Sequence, residues 1–285
     1  MKDILFLPAV MMILASAVSC DGDYINPSAP DMVVEGWIED GGYPVVILTQ
    51  SVPISEEWDD VGDLNNYVIK WATVRVSCGT DTVTLTGKVD RDYFPPYIYT
   101  TGDSRVRGKA GGTYSLTADY KGFHATAVTT IPQSPPDIVS SRVEKCEGTD
   151  SLNRIVVSFT DNADEKNWYQ FFVRRGTGTG QFFAAYLGSV DDAVVNGTAD
   201  YTVYNRSDIR EKEGSPYFKT GEEVAVRLSQ VDSLSYLFWD DYTKTVSSSS
   251  NLFFAPYSSI RSNVTGAAGY WCGMNSRTVR LIINN

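Results

Sequence analysis

Ala72-Thr73-Val74-Arg75-Val76-Ser77-Cys78-Gly79-Thr80-Asp81-Thr82-Val83-Thr84-Leu85-Thr86 reads as two strands around a turn. Val74 and Val76 alternate with Thr73, Arg75 and Ser77, and Val83 and Leu85 alternate with Thr82, Thr84 and Thr86. Each run therefore has one apolar and one polar face, the period of a strand packed on one side. Gly79-Thr80-Asp81 between them supplies turn residues. The pattern extends outward in both directions. Upstream, Met32-Val33-Val34-Glu35-Gly36-Trp37-Ile38 and Pro44-Val45-Val46-Ile47-Leu48-Thr49 flank the turn Glu39-Asp40-Gly41-Gly42. Downstream, residues 97–101, 112–120 and 125–131 continue it. Turn residues recur roughly every 8 to 12 positions, which implies a β-sandwich.

Ile131-Pro132-Gln133-Ser134-Pro135-Pro136-Asp137 interrupts the series, because closely spaced prolines cannot sit inside a sheet. It marks the expected boundary between a first domain, residues 32–132, and a second, residues 137–285. Strand patterns resume at 138–143, 155–159, 168–174, 181–187, 201–204 and 223–228, with a closing strand at 278–283. One helix is expected near 232–246, where Val231, Leu234, Phe238, Tyr242 and Val246 recur at helical spacing. Ser229 and Asp232 have the spacing of a capping box. Residues 51–66 form a polar loop, with Glu56, Glu57, Asp59, Asp60 and Asp63 around Trp58.

The first 19 residues read as a lipoprotein signal. Lys2 gives the positive start, Ile4 to Val18 is almost wholly apolar, and Ala17-Val18-Ser19-Cys20 supplies the small-residue cleavage site. That apolar run is too short to favour a spanning helix. The mature chain is expected to begin at Cys20, carry lipid there, and continue through a polar, Pro-containing tether over residues 20–31.

Composition fits a globular body with a sizeable core: 42% hydrophobic and 21% charged residues, with 17 Tyr, 12 Phe and 6 Trp. The formal charge of -11 argues against a nucleic-acid partner, which needs a basic footprint. Beyond Cys20, three cysteines remain, Cys78, Cys146 and Cys272. They allow one disulfide with a spare thiol, or three free thiols, and no C-x-x-C spacing suggests zinc or redox chemistry.

Catalytic motifs are sparse. His124 is the single histidine, so any Ser-His or Cys-His device would need it, and no G-x-S-x-G elbow accompanies it. Arg175-Gly176-Thr177-Gly178-Thr179-Gly180 has the look of a phosphate loop, but the strand-like Gln181-Phe182-Phe183-Ala184-Ala185-Tyr186 that follows makes it a hairpin loop. Acidic clusters occur at Asp59-Asp60, Asp161/Asp164/Glu165, Asp191-Asp192 and Asp240-Asp241. They leave an acid/base hydrolase as one option, and the 161–165 group lacks EF-hand spacing for calcium. No cofactor and no metal are expected. Tyr93-Phe94-Pro95-Pro96-Tyr97-Ile98-Tyr99 is the densest aromatic patch. Trp58, Tyr93, Phe94, Tyr97 and Tyr99 are the candidate ligand- or partner-binding residues.

The order of several short motifs resembles the domain of unknown function 4249 family of Bacteroidota-type outer-membrane lipoproteins. The matching pieces are Val33-Val34-Glu35-Gly36-Trp37-Ile38, Gly112-Thr113-Tyr114-Ser115-Leu116 leading to Thr130-Ile131-Pro132, and Phe159-Thr160-Asp161 before Asn167-Trp168-Tyr169. Near the end come Phe254-Ala255-Pro256, Ser262-Asn263-Val264-Thr265-Gly266 and Gly269-Tyr270-Trp271. The resemblance implies a mostly β fold, with an N-terminal immunoglobulin-like sandwich and a second β-rich domain. Members of that family tend to be encoded beside TonB-dependent receptors, so the resemblance implies a role at an uptake barrel, and it carries over no catalytic residues. Together these readings lead to an outer-membrane lipoprotein, anchored through lipid on Cys20, surface-exposed or periplasm-facing. It would serve as a non-catalytic accessory that binds a nutrient at, or covers, a TonB-dependent uptake receptor. A structural or adhesive envelope module and a carboxylate-based hydrolase are the alternatives.

Overall fold

The computed structural model describes residues 32–51, 65–148, 151–161, 166–191, 195, 197–205, 215–248 and 260–284. Cys20 and Trp58 lie outside them. The first half contains β1 (Val33–Glu39), β2 (Val45–Thr49), β3 (Thr73–Cys78), β4 (Asp81–Thr84), β5 (Thr86–Val89), β6 (Tyr97–Thr100), β7 (Thr113–Tyr120) and β8 (Phe123–Thr130). The second contains β9 (Asp137–Lys145), β10 (Leu152–Thr160), β11 (Trp168–Arg175), β12 (Phe183–Asp191), β13 (Thr198–Val203), β14 (Phe218–Lys219) and β15 (Glu223–Val231). It continues with α1 (Ser233–Ser248), β16 (Val264–Thr265) and β17 (Ala268–Ile282). The expected mostly β architecture with sandwich packing and one helix is the observed one.

The hairpin of residues 72–86 closes more tightly than three turn residues would allow. Cys78 pairs with Asp81, so only Gly79 and Thr80 lie between the strands. Gly79 has φ +60, and a left-handed first central residue is what a two-residue turn of this kind requires. At the β7–β8 turn both Lys121 (φ 46) and Gly122 (φ 90) are left-handed, the conformation whose twist matches the flanking strands.

Among the described residues, three sheets carry the fold. The largest has the order β12-β11-β15-β17-β1-β2-β6-β5; a five-stranded sheet runs β16-β8-β7-β3-β4; a four-stranded one is β13-β10-β14 with β9 beside β10. The large sheet is the common wall of two sandwiches. Val34, Ile38, Val46, Leu48 and Trp271 face the five-stranded sheet and meet Val74, Val76, Tyr114 and Leu116. Phe171, Val173, Val224, Val226 and Leu228 face the four-stranded sheet and meet Ile155, Val157 and Phe159.

β17 joins the halves. It runs parallel to β1 from Val33↔Ala268 to Glu39↔Met274, and antiparallel to β15 from Val231↔Met274 to Glu223↔Ile282. Its odd residues point inward at both ends: Trp271 into the first core, Val279 and Leu281 against the second. Its even residues Tyr270, Cys272 and Met274 point outward beneath α1, where they pack with Phe238 and Trp239. The sheet is thus continuous across the proline-rich segment at 132–136, and Asn275 ties that segment down by donating from Nδ2 to the Pro132 carbonyl at 2.9 Å.

Two sequence expectations change at this junction. The closing strand begins ten residues before the expected 278, at Ala268. Residues 268–275 are buried on both faces, so they show no alternation to read. The helix cap is Asp232 alone, whose Oδ1 accepts from the Ser235 amide at 2.7 Å; Ser229 lies in β15 and bonds Ser276 instead. The inward helical face uses Ser235, Phe238 and Trp239, while Leu234 is exposed. Cys78, Cys146 and Cys272 are all free thiols, lying at the end of β3, just after β9 and within β17, on three different sheets.

Because one strand walls both cores, thermal unfolding of the body should give a single calorimetric transition, with residues 32–132 failing to fold when produced alone. Two separated transitions would show independent halves. A Cβ at Gly36 would sit 2.8 Å from the Trp271 ring, so Gly36→Ala should cost about 1–3 kcal/mol in denaturant titration through overpacking.

Candidate functional site

The aromatic patch at 93–99 divides between two faces of the large sheet. Tyr97 and Tyr99 point into the first sandwich and hold the chain that precedes β3. Tyr97 Oη donates to the Lys70 carbonyl at 2.8 Å, Tyr99 Oη donates to the Ile69 carbonyl at 2.8 Å, and the Ala72 amide donates to Tyr99 Oη at 2.9 Å. Burial pushes the Tyr99 phenol up to about 12. Both hydroxyls act as clasps on residues 69–72.

Tyr93 belongs to the outer face, packed against Val45, Ile47 and Ile98, and both Tyr93 and Phe94 are half-buried. Their loop, residues 90–96, is joined to the β11–β12 loop, residues 176–182, which carries the Gly-Thr-Gly-Thr-Gly sequence. The Gln181 amide donates to the Asp92 carbonyl at 2.8 Å, and the Phe94 amide donates to Gln181 Oε1 at 2.9 Å. Thr179 Oγ1 donates to Asp92 Oδ2 at 3.1 Å. Gly180 lets the backbones approach, since a Cβ there would lie 2.8 Å from the Asp92 carbonyl oxygen. No helix follows Gly180, so the loop is a hairpin connection and not a phosphate cradle.

Beneath the joined loops lies a charged pair on neighbouring stretches of the sheet. Glu39, the last residue of β1, bonds Arg227 of β15. Both are largely buried, with side-chain exposures of 24% and 20%. Burial raises the Glu39 carboxyl above its ordinary value against the pull of Arg227, and burial lowers the Arg227 guanidinium despite Glu39. Phe182 is shared by two guanidiniums: Arg227 Cζ is 3.8 Å and Arg174 Cζ 4.4 Å from its ring centre. Such cation–π contacts are worth about 0.5–2 kcal/mol each. The Nε atoms of both arginines are buried without a hydrogen-bond partner, so the ring face is what they meet. Arg174 also donates from Nη1 to the Gly180 carbonyl at 3.1 Å. Burial, then Arg280 and Arg227, lower its pKa. Tyr93 stands 6.1 Å from Trp37, ring to ring, and burial raises its phenol. The result is a fixed platform of half-exposed aromatic rings and arginines on a protein of net negative charge.

The remaining candidates are dispersed. His124 is exposed at the β7–β8 turn, with Nδ1 2.7 Å from Asp119 Oδ1, while Arg75 Nη1 donates to Asp119 Oδ2 at 3.1 Å. Asp161 accepts from Tyr169 Oη at 2.6 Å and from Asn167 Nδ2 at 3.3 Å. Asp240 pairs with Lys244 and Asp241 with Arg261. Among the described residues no group of three or more His, Cys, Asp and Glu side chains is placed to hold a metal ion. Sequence reading missed Glu39, Arg174, Phe182 and Arg227. Each stands in or beside a strand pattern, and nothing local marks their convergence.

The fold and this platform describe a two-sandwich β protein with a preorganised surface cluster. The chain belongs to the family described as Domain of unknown function (DUF4249), whose model matches residues 18–280. No curated protein matches it. Among solved structures, domains A168–A170 of titin are similar at 12% identity, covering 69% of this chain and 55% of that one, with a TM-score of 0.21. The chain thus spans about half of that structure's length.

Arg227→Ala would leave the Glu39 carboxylate without its partner beneath the loops. The expected loss of stability is about 3 kcal/mol, the lower end for a broken buried pair, because both groups keep some solvent contact. Chemical denaturation of the variant against the parent measures it.

Proposed function

We propose that this protein is a lipid-anchored, non-catalytic accessory of the outer membrane, held through Cys20. In this reading it serves a TonB-dependent uptake barrel, either by binding ligand for it or by covering it. The observation that supports the reading is the platform: loops 87 residues apart in sequence are locked together by Gln181, and they present Tyr93, Phe94, Phe182 and Arg174 on a rigid sheet. Aromatic and arginine side chains on a preorganised support are the chemistry of binding hot spots. The acidic side chains of the Asp240-Asp241 cluster are committed to cations, which favours binding over acid/base chemistry. The Cys20 sequence context supports the anchor.

Gentle purification of the full-length protein from its native outer membrane, with and without crosslinking, tests the proposal. A TonB-dependent barrel in stoichiometric amount is the expected companion. Double substitution Phe94→Ser with Arg174→Glu should lower its recovery at least tenfold, the loss of roughly 1.4 kcal/mol or more, without shifting the far-UV spectrum. Recovery of the protein alone under both conditions would rule the accessory role out.

A further inference from the structure

Trp71 is 88% exposed, far more than a large aromatic side chain normally is. It is not on a loose segment: the Tyr97 and Tyr99 hydroxyls fix residues 69, 70 and 72 on either side of it. Facing it is the β7–β8 turn, and between them lies an open cavity of about 510 Å³ lined by Trp71, Thr73, Asp119, Tyr120, Lys121 and Phe123, among others. Phe123 is itself 37% exposed. Lys70 and Lys121 are exposed. Among the described residues neither takes part in an ion pair, and Lys121 Nζ lies 5.1 Å from the Tyr120 ring centre.

This cluster stands at the end of the first sandwich where β1 begins. The Met32 carbonyl accepts from the Ala268 amide at 3.1 Å, and Val33 pairs with Ala268 and with Thr49. Two residues before Ala268, Gly266 packs against the His124 carbonyl, and β16 pairs with β8 at Thr265↔Thr126. On the other side the Ile69 amide donates to the Leu48 carbonyl at 2.9 Å, next to Thr49. Met32, His124 and Trp71 therefore share one end of the first sandwich. Residues 20–31 precede Met32. A chain of that length reaches at most roughly 40 Å when extended and has a root-mean-square span of about 20 Å as a flexible coil.

From this placement we infer that the Trp71–Phe123 end docks on the lipid surface that receives the Cys20 acyl chains, an inference that rests on the anchor reading above. Trp71 and Phe123 enter the boundary between headgroups and acyl chains, where amphipathic aromatic rings are favoured. Lys70 and Lys121 meet phosphate oxygens, the attraction that basic side chains feel near an anionic surface. The lipid holds the chain at the membrane; the aromatic end sets which way the body faces. β1 and β17 start at this end and run away from it, so the outer face of the large sheet, with its Tyr93–Phe182 platform, stands up from the bilayer toward a neighbour in the membrane.

The experiment uses the full-length lipidated protein reconstituted into vesicles of phosphatidylethanolamine and phosphatidylglycerol, with and without bromine on the acyl chains. Flotation and the mass of the N-terminal peptide first establish anchoring. Tryptophan emission is then compared for the parent and Trp71→Phe. The expected result is a blue shift on vesicles and quenching by bromolipid in the parent, both absent from Trp71→Phe. Protein that floats but shows no quenching, or equal quenching in Trp71→Phe, overturns the docking and leaves the anchor standing. Failure to float, with no acyl mass at Cys20, overturns both. Shielding of Trp71 only after a co-purified barrel is added assigns this end to a protein contact and overturns lipid docking.

Discussion

β17 hydrogen-bonds β1 on one side and β15 on the other, so two hydrophobic cores that are far apart in sequence share one wall. The strand must obey a single alternation over fifteen residues: Trp271 fills the first core, Val279 and Leu281 line the second, and Tyr270, Cys272 and Met274 hold the helix outside. A register slip of one residue would exchange all of these at once. Trp271 anchors the register. Its indole Nε1 donates to the Tyr114 carbonyl at 2.9 Å, and its backbone amide and carbonyl are both bound by the Asn263 side chain at 2.9 and 2.7 Å.

Everything on the outer face follows from that wall. Glu39 and Arg227 come from strands 188 residues apart and meet because β1 and β15 flank β17. Their pairing lies in a poorly solvated position, and the Phe182 ring and the joined loops cover it. Such an arrangement is costly to break and so defines a rigid surface, which suits recognition better than a flexible loop would. The same economy applies to Trp71: the Tyr97 and Tyr99 hydroxyls hold the short segment that carries it.

Much of the fold was legible in the residues themselves. The alternation of Val74, Val76, Val83 and Leu85 marks a hairpin, and Phe238 and Tyr242 mark the helix, because both patterns reflect burial on one side only; of the other positions in that helical spacing, Val231 ends β15 and Leu234 is exposed. Where burial is two-sided, as in 268–275, alternation vanishes and the strand went unread. The candidate site was half legible. Aromatic density marks Tyr93 and Phe94, but it marks Tyr97 and Tyr99 equally, and the pleat turns those two into the first sandwich as clasps. Density in sequence carries no information about which face a side chain takes.

The sequence by itself determined most of the strands, their turns and the helix, because each rests on local periodicity or on residue chemistry within a few positions. Only the tertiary structure decided that β17 would close onto β1, that Glu39, Phe182 and Arg227 would form one cluster, and that Trp71 would stand exposed at the end of the first sandwich where β1 begins. Those outcomes depend on strand order, and strand order is set by the combined packing of both cores, which no single stretch of the chain encodes.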